Sequence, residues 1–165
     1  MKEINVSRES KMIETIIDFL IDIPLFDELQ PNELKIVSRQ MNFIDIKKNE
    51  ILFHEGDKGN YVCFVVEGIL DVMKQASTGK EVVIANLSKG RSIGEMAIID
   101  NFPRSATVRA RSQASLVILT LKGFELILKE SPQTGIKILR ALARLLSMNL
   151  RKTSGRLADY MLPIS

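Results

Sequence analysis

The chain has 165 residues, of which 45% are apolar and 26% charged, and 23 basic against 20 acidic side chains give a net charge of +3. This composition predicts one soluble globular domain over residues 1–165, long enough to bury its own core. A single cysteine, Cys63, excludes a disulfide framework, and a single histidine, His54, excludes a multi-histidine metal site. No long apolar run predicts a membrane span, and the polar first residues are unlike a signal peptide. We therefore expect a cytoplasmic protein of bacterial type.

Residues 1–41 are predicted to be helical. Apolar side chains recur at helical spacing between Met12 and Leu20, which indicates an amphipathic helix. Pro24 ends that helix because its ring does not allow the helix to continue. Pro31 suits the first position of a second, short helix.

Residues 42–121 have the pattern of β-strands. Short apolar and β-branched runs are separated by glycines, and alternation from Ala106 to Arg111 indicates a half-buried strand. The predicted strands are 51–53, 61–66, 69–73, 82–87, 106–111 and 116–121. Short strands at this spacing predict an antiparallel sandwich or barrel.

Residues 122–160 return to helical periodicity, and Pro132 opens a long helix that reaches Tyr160. Leu142 and Leu145 are expected to face the β region. A heptad stripe runs along the helix: Leu139, Ala143, Leu146, Leu150, Thr153, Leu157 and Tyr160. Such a stripe predicts a homodimer through this helix, and the alternative is that it packs on its own domain.

Basic residues are concentrated near the carboxyl end of the chain. They are Lys129, Lys137, Arg140, Arg144, Arg151, Lys152 and Arg156. The simplest interpretation is the solvated face of a helix. Binding of duplex nucleic acid or of an anionic membrane surface is the alternative.

The segment from residue 91 to residue 107 has the residues expected of a ligand site. Gly94 permits a turn or a close approach, and the residues from Met96 to Asp100 can form one helical turn whose free N–H groups attract an anion. Arg104 offers a planar set of donors for phosphate, and Ser105 adds a hydroxyl. With Glu95 as an acceptor, the set fits a ligand with a sugar hydroxyl and a phosphate. A Glu95–Arg104 salt bridge that closes the loop is the alternative.

This segment resembles the phosphate-binding cassette of the cyclic-nucleotide-binding domain family, through Gly94–Ala97 and Pro103–Thr107. The glycine turn Glu55–Gly59 and the helical entry Ile23–Phe26 are also similar to the family. The resemblance extends over residues 19–160 and includes the catabolite activator branch. It implies a mainly β fold with helices: a β jelly-roll barrel flanked by N-terminal helices and a long C-terminal dimerisation helix, with the cassette at 93–107.

The resemblance also implies roles for particular residues. Glu95 would accept a hydrogen bond from the ribose 2′-hydroxyl, while Arg104, Ser105 and the amide of Ala97 would bind the cyclic phosphate. The other expected ligand-binding residues are Gly94, Met96 and Ala106 of the cassette, Val72, Ile84 and Ile93 of the pocket wall, and Thr153 and Ser154 of the long helix, which would reach the base.

The predicted function is that of a standalone cyclic-nucleotide sensor that signals by movement of its C-terminal helix to an unknown downstream partner. Ser105, rather than threonine, after Arg104 favours cAMP over cGMP in this family. We expect no enzymatic activity, no metal and no cofactor. We expect no DNA-binding domain, since the residues after Tyr160 are too few for a helix-turn-helix unit. The alternatives are a nucleotide-independent interaction module and the sensor half of a truncated transcription regulator.

Overall fold

The computed structural model describes residues 2–100 and 102–161, with side chains from residue 10 onward. Its helices are α1 (Lys2–Ile21), α2 (Pro31–Ser38), α3 (Leu121–Glu130) and α4 (Pro132–Tyr160), and two 3-10 helices span Pro24–Phe26 and Glu95–Ile98. Pro24, Pro31 and Pro132 each stand at the start of an element, as their missing N–H and fixed φ favour. The predicted helical regions are thus confirmed, including the bounds of α4.

The β-strands are β1 (Met41–Ile46), β2 (Ile51–Phe53), β3 (Tyr61–Glu67), β4 (Leu70–Gln75), β5 (Glu81–Leu87), β6 (Ser92–Ile93), β7 (Thr107–Ala110) and β8 (Ala114–Thr120). They form two four-stranded antiparallel sheets with the orders β1-β8-β3-β6 and β2-β7-β4-β5. These crossed-over orders are those of the predicted jelly roll. Each of the six predicted strands is present within about two residues.

The sequence did not indicate β1 and β6. β1 carries Asn42 and Asp45 and has no clean alternation of buried and exposed residues. It is a strand because it pairs along its whole length with β8, from Met41 opposite Leu119 to Ile46 opposite Ala114. β6 is only two residues long, and such a strand leaves no period to detect.

The core consists of two apolar clusters. One lies between the two sheets and contains Cys63 and Leu116 from one sheet and Leu70 and Val108 from the other. The second cluster joins the helices to the β1-β8-β3 face and is centred on large side chains such as Phe26. The helices therefore cover one face of the jelly roll.

The helix α4 has a docked half and a projecting half. Ile138 and Leu142 are buried in the helical cluster, and Leu139 and Leu145 pack against it, so the first part of the stripe lies on its own domain. From Ser147 to Met161 every residue is exposed. None of the helices within the described residues is long and apolar enough to cross a membrane.

Two ion pairs fix the docked half of α4. Lys137 Nζ lies 2.6 Å from Glu33 Oε2, and Thr134 also donates to Glu33, at 3.2 Å. Two turns further along, Arg144 pairs with Glu28, which precedes α2. The N-terminal helices and α4 are thus held together by charge as well as by apolar contacts.

Candidate ligand-binding site

A cleft opens beside the 3-10 helix Glu95–Ile98, which we call the cassette helix. Its volume is about 470 Å³, which includes open solvent at its mouth. It is lined by Phe53, Ile93, Gly94, Glu95, Met96, Ala97, Asp100, Phe102, Pro103, Arg104, Ser105 and Ala106. Ile93 belongs to an edge strand of one sheet and Phe53 to an edge strand of the other, so the cleft is built from both sheets.

Gly94 sets the entry to the cassette helix. Its φ of 84° lies in the left-handed region, where an L side chain is strained. A Cβ at this position would lie 2.2 Å from the Arg104 guanidinium. The position therefore requires glycine for two independent reasons, conformation and close approach.

Glu95 is the first residue of the cassette helix and is buried. Burial raises the pKa of its carboxyl above 4.5, and the backbone N–H of Glu95 itself and the charge of Arg104 offset this only in part. Its Oε2 atom is buried without a hydrogen-bond partner in the described structure. A buried acceptor with no donor is costly, and it is the kind of group that a bound hydroxyl satisfies.

Arg104 is 5% exposed and is held mainly by backbone groups. It donates from Nη1 to Gly94 O at 3.2 Å and from Nη2 to Tyr61 O at 2.9 Å. Its Nε atom is buried and has no partner among the described residues. Among the described residues no ion pair joins Arg104 to Glu95, so the alternative of a salt bridge that closes the loop is not observed.

The glycine turn before β3 fixes the backbone of Arg104 on the opposite side. Arg104 N donates to Asp57 O at 2.8 Å, and Gly56 N donates to Arg104 O at 2.9 Å. Gly59 packs so closely that a Cβ there would lie 2.3 Å from the Ala97 Cβ. This turn, which carries part of the family resemblance, therefore supports the cassette directly.

The structure brings together eight of the twelve predicted ligand-binding residues. Gly94, Glu95, Met96, Ala97, Arg104, Ser105, Ala106 and Ile93 all line the cleft. The Ala97 amide, expected to bind phosphate, donates to Gly94 O at 3.2 Å in this structure. That bond is at the long end of the normal range.

Four predicted residues lie outside the cleft lining. Val72 is buried in the core between the sheets, and Ile84 is exposed on the edge strand β5. Thr153 and Ser154 lie on the projecting half of α4 and are exposed. Contact of these four residues with a ligand stays a prediction.

Sequence reasoning missed the aromatic residues around Arg104. The Arg104 Cζ atom lies 4.1 Å from the centre of the Phe53 ring and 4.5 Å from that of Tyr61. Both residues stand in predicted strands, 51–53 and 61–66, and no ligand role was expected for either. The only available signal was their position, since Phe53 ends one predicted strand and Tyr61 begins the next, on either side of the glycine turn.

Cys63 and His54 take no part in the cleft lining. Burial raises the pKa of the Cys63 thiol to about 12, which keeps it protonated and unreactive. His54 adjoins the glycine turn, where its backbone N–H donates to Asp57 Oδ2 at 2.7 Å. Within residues 2–100 and 102–161, no group of three or more His, Cys, Asp or Glu residues is placed to hold a metal ion.

The structure is an antiparallel jelly roll with a cleft in which a carboxyl, Glu95, and a guanidinium, Arg104, are both buried. These are features of a ligand-binding domain. The family model for the cyclic nucleotide-binding domain matches residues 43–131, more than half of the chain. The chain belongs to this family.

Relatives with different architectures share the domain. The cAMP-dependent protein kinase regulatory subunit of Mycosarcoma maydis is 31% identical over 140 residues, which is 83% of this chain and 25% of the relative. A CRP-like cAMP-activated global transcriptional regulator of Mycobacterium tuberculosis is 23% identical over 137 residues, 83% of this chain and 59% of the relative. The chain thus spans between a quarter and three fifths of these two relatives.

A solved structure shows the same fold over nearly the whole chain. The crystal structure of a cyclic nucleotide-binding domain from Methylobacillus flagellatus KT superimposes with a TM-score of 0.81 at 28% sequence identity. The match covers 92% of this chain and 85% of that one. The predicted family and fold class are therefore confirmed.

Proposed function

We propose that this domain binds a cyclic nucleotide in the cleft, that cAMP is its preferred ligand, and that it acts in regulation and not in catalysis. One observation carries the proposal: the buried, unpartnered Glu95 Oε2 and Arg104 Nε belong to residues of the same cleft. A cyclic nucleotide has a ribose hydroxyl that can donate to the first and a phosphate that can accept from the second.

The charges support the same ligand class. The cyclic phosphate carries one negative charge, and Arg104 offers one positive charge that forms no ion pair within the described residues. Ser105 is exposed and adds a hydroxyl to the cleft lining. The names of the kinase subunit and of the transcriptional regulator both refer to cAMP, which favours the adenine nucleotide.

The preference for cAMP over cGMP rests on Ser105. In the family that the chain resembles, threonine at this position favours a guanine base, and this chain has serine there. The preference is one of degree, because the serine hydroxyl can also donate or accept.

The proposed output is a movement of α3 and α4. Ligand contacts pull the cassette around Arg104, and the projecting half of α4 changes position relative to the body. The ligand drives this movement only to the extent that it binds one of the two arrangements more tightly. The ion pairs of Glu33 and Glu28 with α4 limit the movement of its docked half.

The same proposal includes a homodimer through the projecting half of α4. Leu150 and Leu157 are 68% and 60% exposed, and Tyr160 is 85% exposed. These three residues belong to the heptad stripe, and a second copy of the helix would cover them. Thr153 and Ser154 would then approach the base bound by the partner protomer. The cytoplasmic, bacterial location remains a prediction from composition.

A thermal-melt panel with cAMP, cGMP, cyclic di-GMP and AMP tests the proposal. Ligand at 100 times its dissociation constant adds about 2.7 kcal/mol to the stability of the folded state. For a chain of this length the melting temperature should rise by roughly 5–10 °C. A shift with cAMP that exceeds the shift with cGMP supports both the site and the preference.

Two other outcomes would count against the proposal. A larger shift with cyclic di-GMP or AMP would contradict the assigned ligand. No shift with any nucleotide, together with no nucleotide in a mass analysis of the denatured protein, would favour a nucleotide-independent interaction module.

A further inference from the structure

Arg104 is buried and forms no ion pair among the described residues. The ion pairs within the described residues lie elsewhere, at Asp71, Glu55, Glu33 and Glu28. A guanidinium that is 5% exposed needs a substitute for water, because burial of an unpaired charge is costly. Two backbone carbonyls supply part of that substitute, and the Phe53 and Tyr61 rings lie against the guanidinium. The charge of Glu95 acts on it from beyond ion-pair distance.

We propose that Phe53 and Tyr61 are positioning residues for the phosphate site: their rings hold the Arg104 guanidinium by cation–π contacts and leave its charge available to the ligand. This inference rests on the proposed function and deepens it. Both contacts, at 4.1 and 4.5 Å, are within the range where a ring attracts a guanidinium.

The two rings are themselves fixed. Their centres are 6.2 Å apart and their planes are inclined by 68°, which is an edge-to-face pair. The Tyr61 hydroxyl donates to Leu52 O at 3.2 Å. Tyr61 also contributes the carbonyl that accepts from Arg104 Nη2, so one residue holds the guanidinium through its ring and its backbone.

Contact with aromatic rings, rather than with a carboxylate, leaves the guanidinium able to bind a phosphate. A carboxylate paired with Arg104 would have to be displaced or would repel the incoming phosphate. The ring quadrupole attracts the cation but carries no net charge, and Nε remains without a partner. Arg104 is thus held in place before the ligand arrives, which reduces the entropy lost on binding.

Leucine substitutions at the two rings test the proposal. Phe53→Leu and Tyr61→Leu remove the π-face and keep an apolar side chain, and each should weaken cAMP binding by about 3- to 30-fold in a calorimetric titration. Tyr61→Phe keeps the ring and removes only the bond to Leu52 O, so its affinity should match the parent.

Controls separate positioning from general loss of stability. Phe64→Leu alters a buried aromatic residue of the other core cluster and should lower the melting temperature without changing affinity. In a double-mutant cycle, Phe53→Leu should have little further effect on affinity in an Arg104→Lys background, because the ring then has no guanidinium to hold. A purely structural role for Phe53 would give additive losses.

The Nε–Hε NMR signal of Arg104 provides a second measure in the ligand-free protein. It should be sharp in the parent and broadened in Phe53→Leu, whereas Phe64→Leu should leave it unchanged. Equal affinity and an unchanged signal in Phe53→Leu and Tyr61→Leu would overturn the positioning role alone. Absence of any cyclic-nucleotide binding by the parent would overturn the proposed function and this inference together.

Discussion

Replacement of Glu95 by glutamine should affect stability and binding in opposite directions. Glu95 is buried with an unpartnered Oε2, and burial raises the pKa of its carboxyl. Glu95→Gln removes the buried charge while keeping the side-chain volume, so the ligand-free protein should gain about 1 kcal/mol of unfolding free energy. For a domain of this length, that raises the melting temperature by roughly 2–4 °C.

The same substitution should weaken ligand binding. A hydrogen bond to a charged group contributes about 1.5–3 kcal/mol, so the loss of the carboxylate should reduce cAMP affinity by roughly 10- to 150-fold. Such opposite effects are typical of residues retained for function at a cost in stability.

The pH dependence gives an independent check of the reasoning. Because the folded-state pKa of Glu95 is raised, the folded protein binds more protons than the unfolded chain between pH 4.5 and that higher pKa. The contribution of Glu95 to stability therefore falls as the pH rises through this interval. Glu95→Gln should remove that fall.

Urea denaturation across this pH range and calorimetric titration with cAMP measure the two effects. Glu125→Gln is the matched control, since Glu125 is exposed on α3. A Glu95→Gln protein that is less stable than the parent and binds cAMP equally well would refute the account of this carboxylate.

Three other substitutions test the framework around the site. Gly94→Ala should abolish binding and lower the melting temperature more than Gly79→Ala does. Both glycines have positive φ, but only at Gly94 would the new Cβ lie 2.2 Å from Arg104. Equal effects in thermal melts would contradict the close approach. Glu33→Gln should lower the unfolding free energy by about 1 kcal/mol, because it removes the ion pair with Lys137 of α4. Burial raises the pKa of Glu33, but its hydrogen bonds lower it by more, so this stability should be present above pH 4.5 and lost as the pH falls through the lower folded-state pKa. A urea titration with no such pH dependence would contradict the role of this ion pair. Leu150→Asp should yield monomers in sedimentation equilibrium, and an unchanged dimer would place the interface elsewhere.

The sequence was most informative where local chemistry determines local structure. Pro31 and Pro132 start helices because proline is well suited only to that end of a helix. Gly94 was expected at a turn or a close approach, and it serves both purposes. The contiguous cassette residues were identified because they lie on one short segment and need no long-range register to meet.

What the sequence could not provide depends on contacts between distant segments. The pairing of β2 with β7 shifts register between Ile51 and Phe53, and Phe53 lines the cleft. The side of the sheet that a residue after such a shift faces does not follow from simple alternation. The family resemblance implied Val72 and Ile84 as wall residues, on the expectation that they point inward from neighbouring strands. The structure places one in the core and the other on an edge strand, since burial there depends on which strands are neighbours.

The long helix α4 combines a feature that the sequence predicts with one that it does not. Its bounds followed from Pro132 and from the periodicity, but the same stripe fits packing on the domain and packing on a second copy. In the structure Leu139 lies against its own domain and Leu157 is exposed, so the stripe changes its environment along one helix. No local pattern marks the residue where the domain surface ends.

A calorimetric titration of cAMP into nucleotide-free parent protein and into Arg104→Lys tests the central claim most directly. In the parent, the planar guanidinium donates to Gly94 O and Tyr61 O, and its Nε has no partner. Lysine keeps the positive charge but lacks this planar set of donors. The account predicts saturable binding of one cAMP per chain to the parent and at least about tenfold weaker binding to the variant. Equal affinity of the two proteins, or no binding to a folded, nucleotide-free parent, would contradict it.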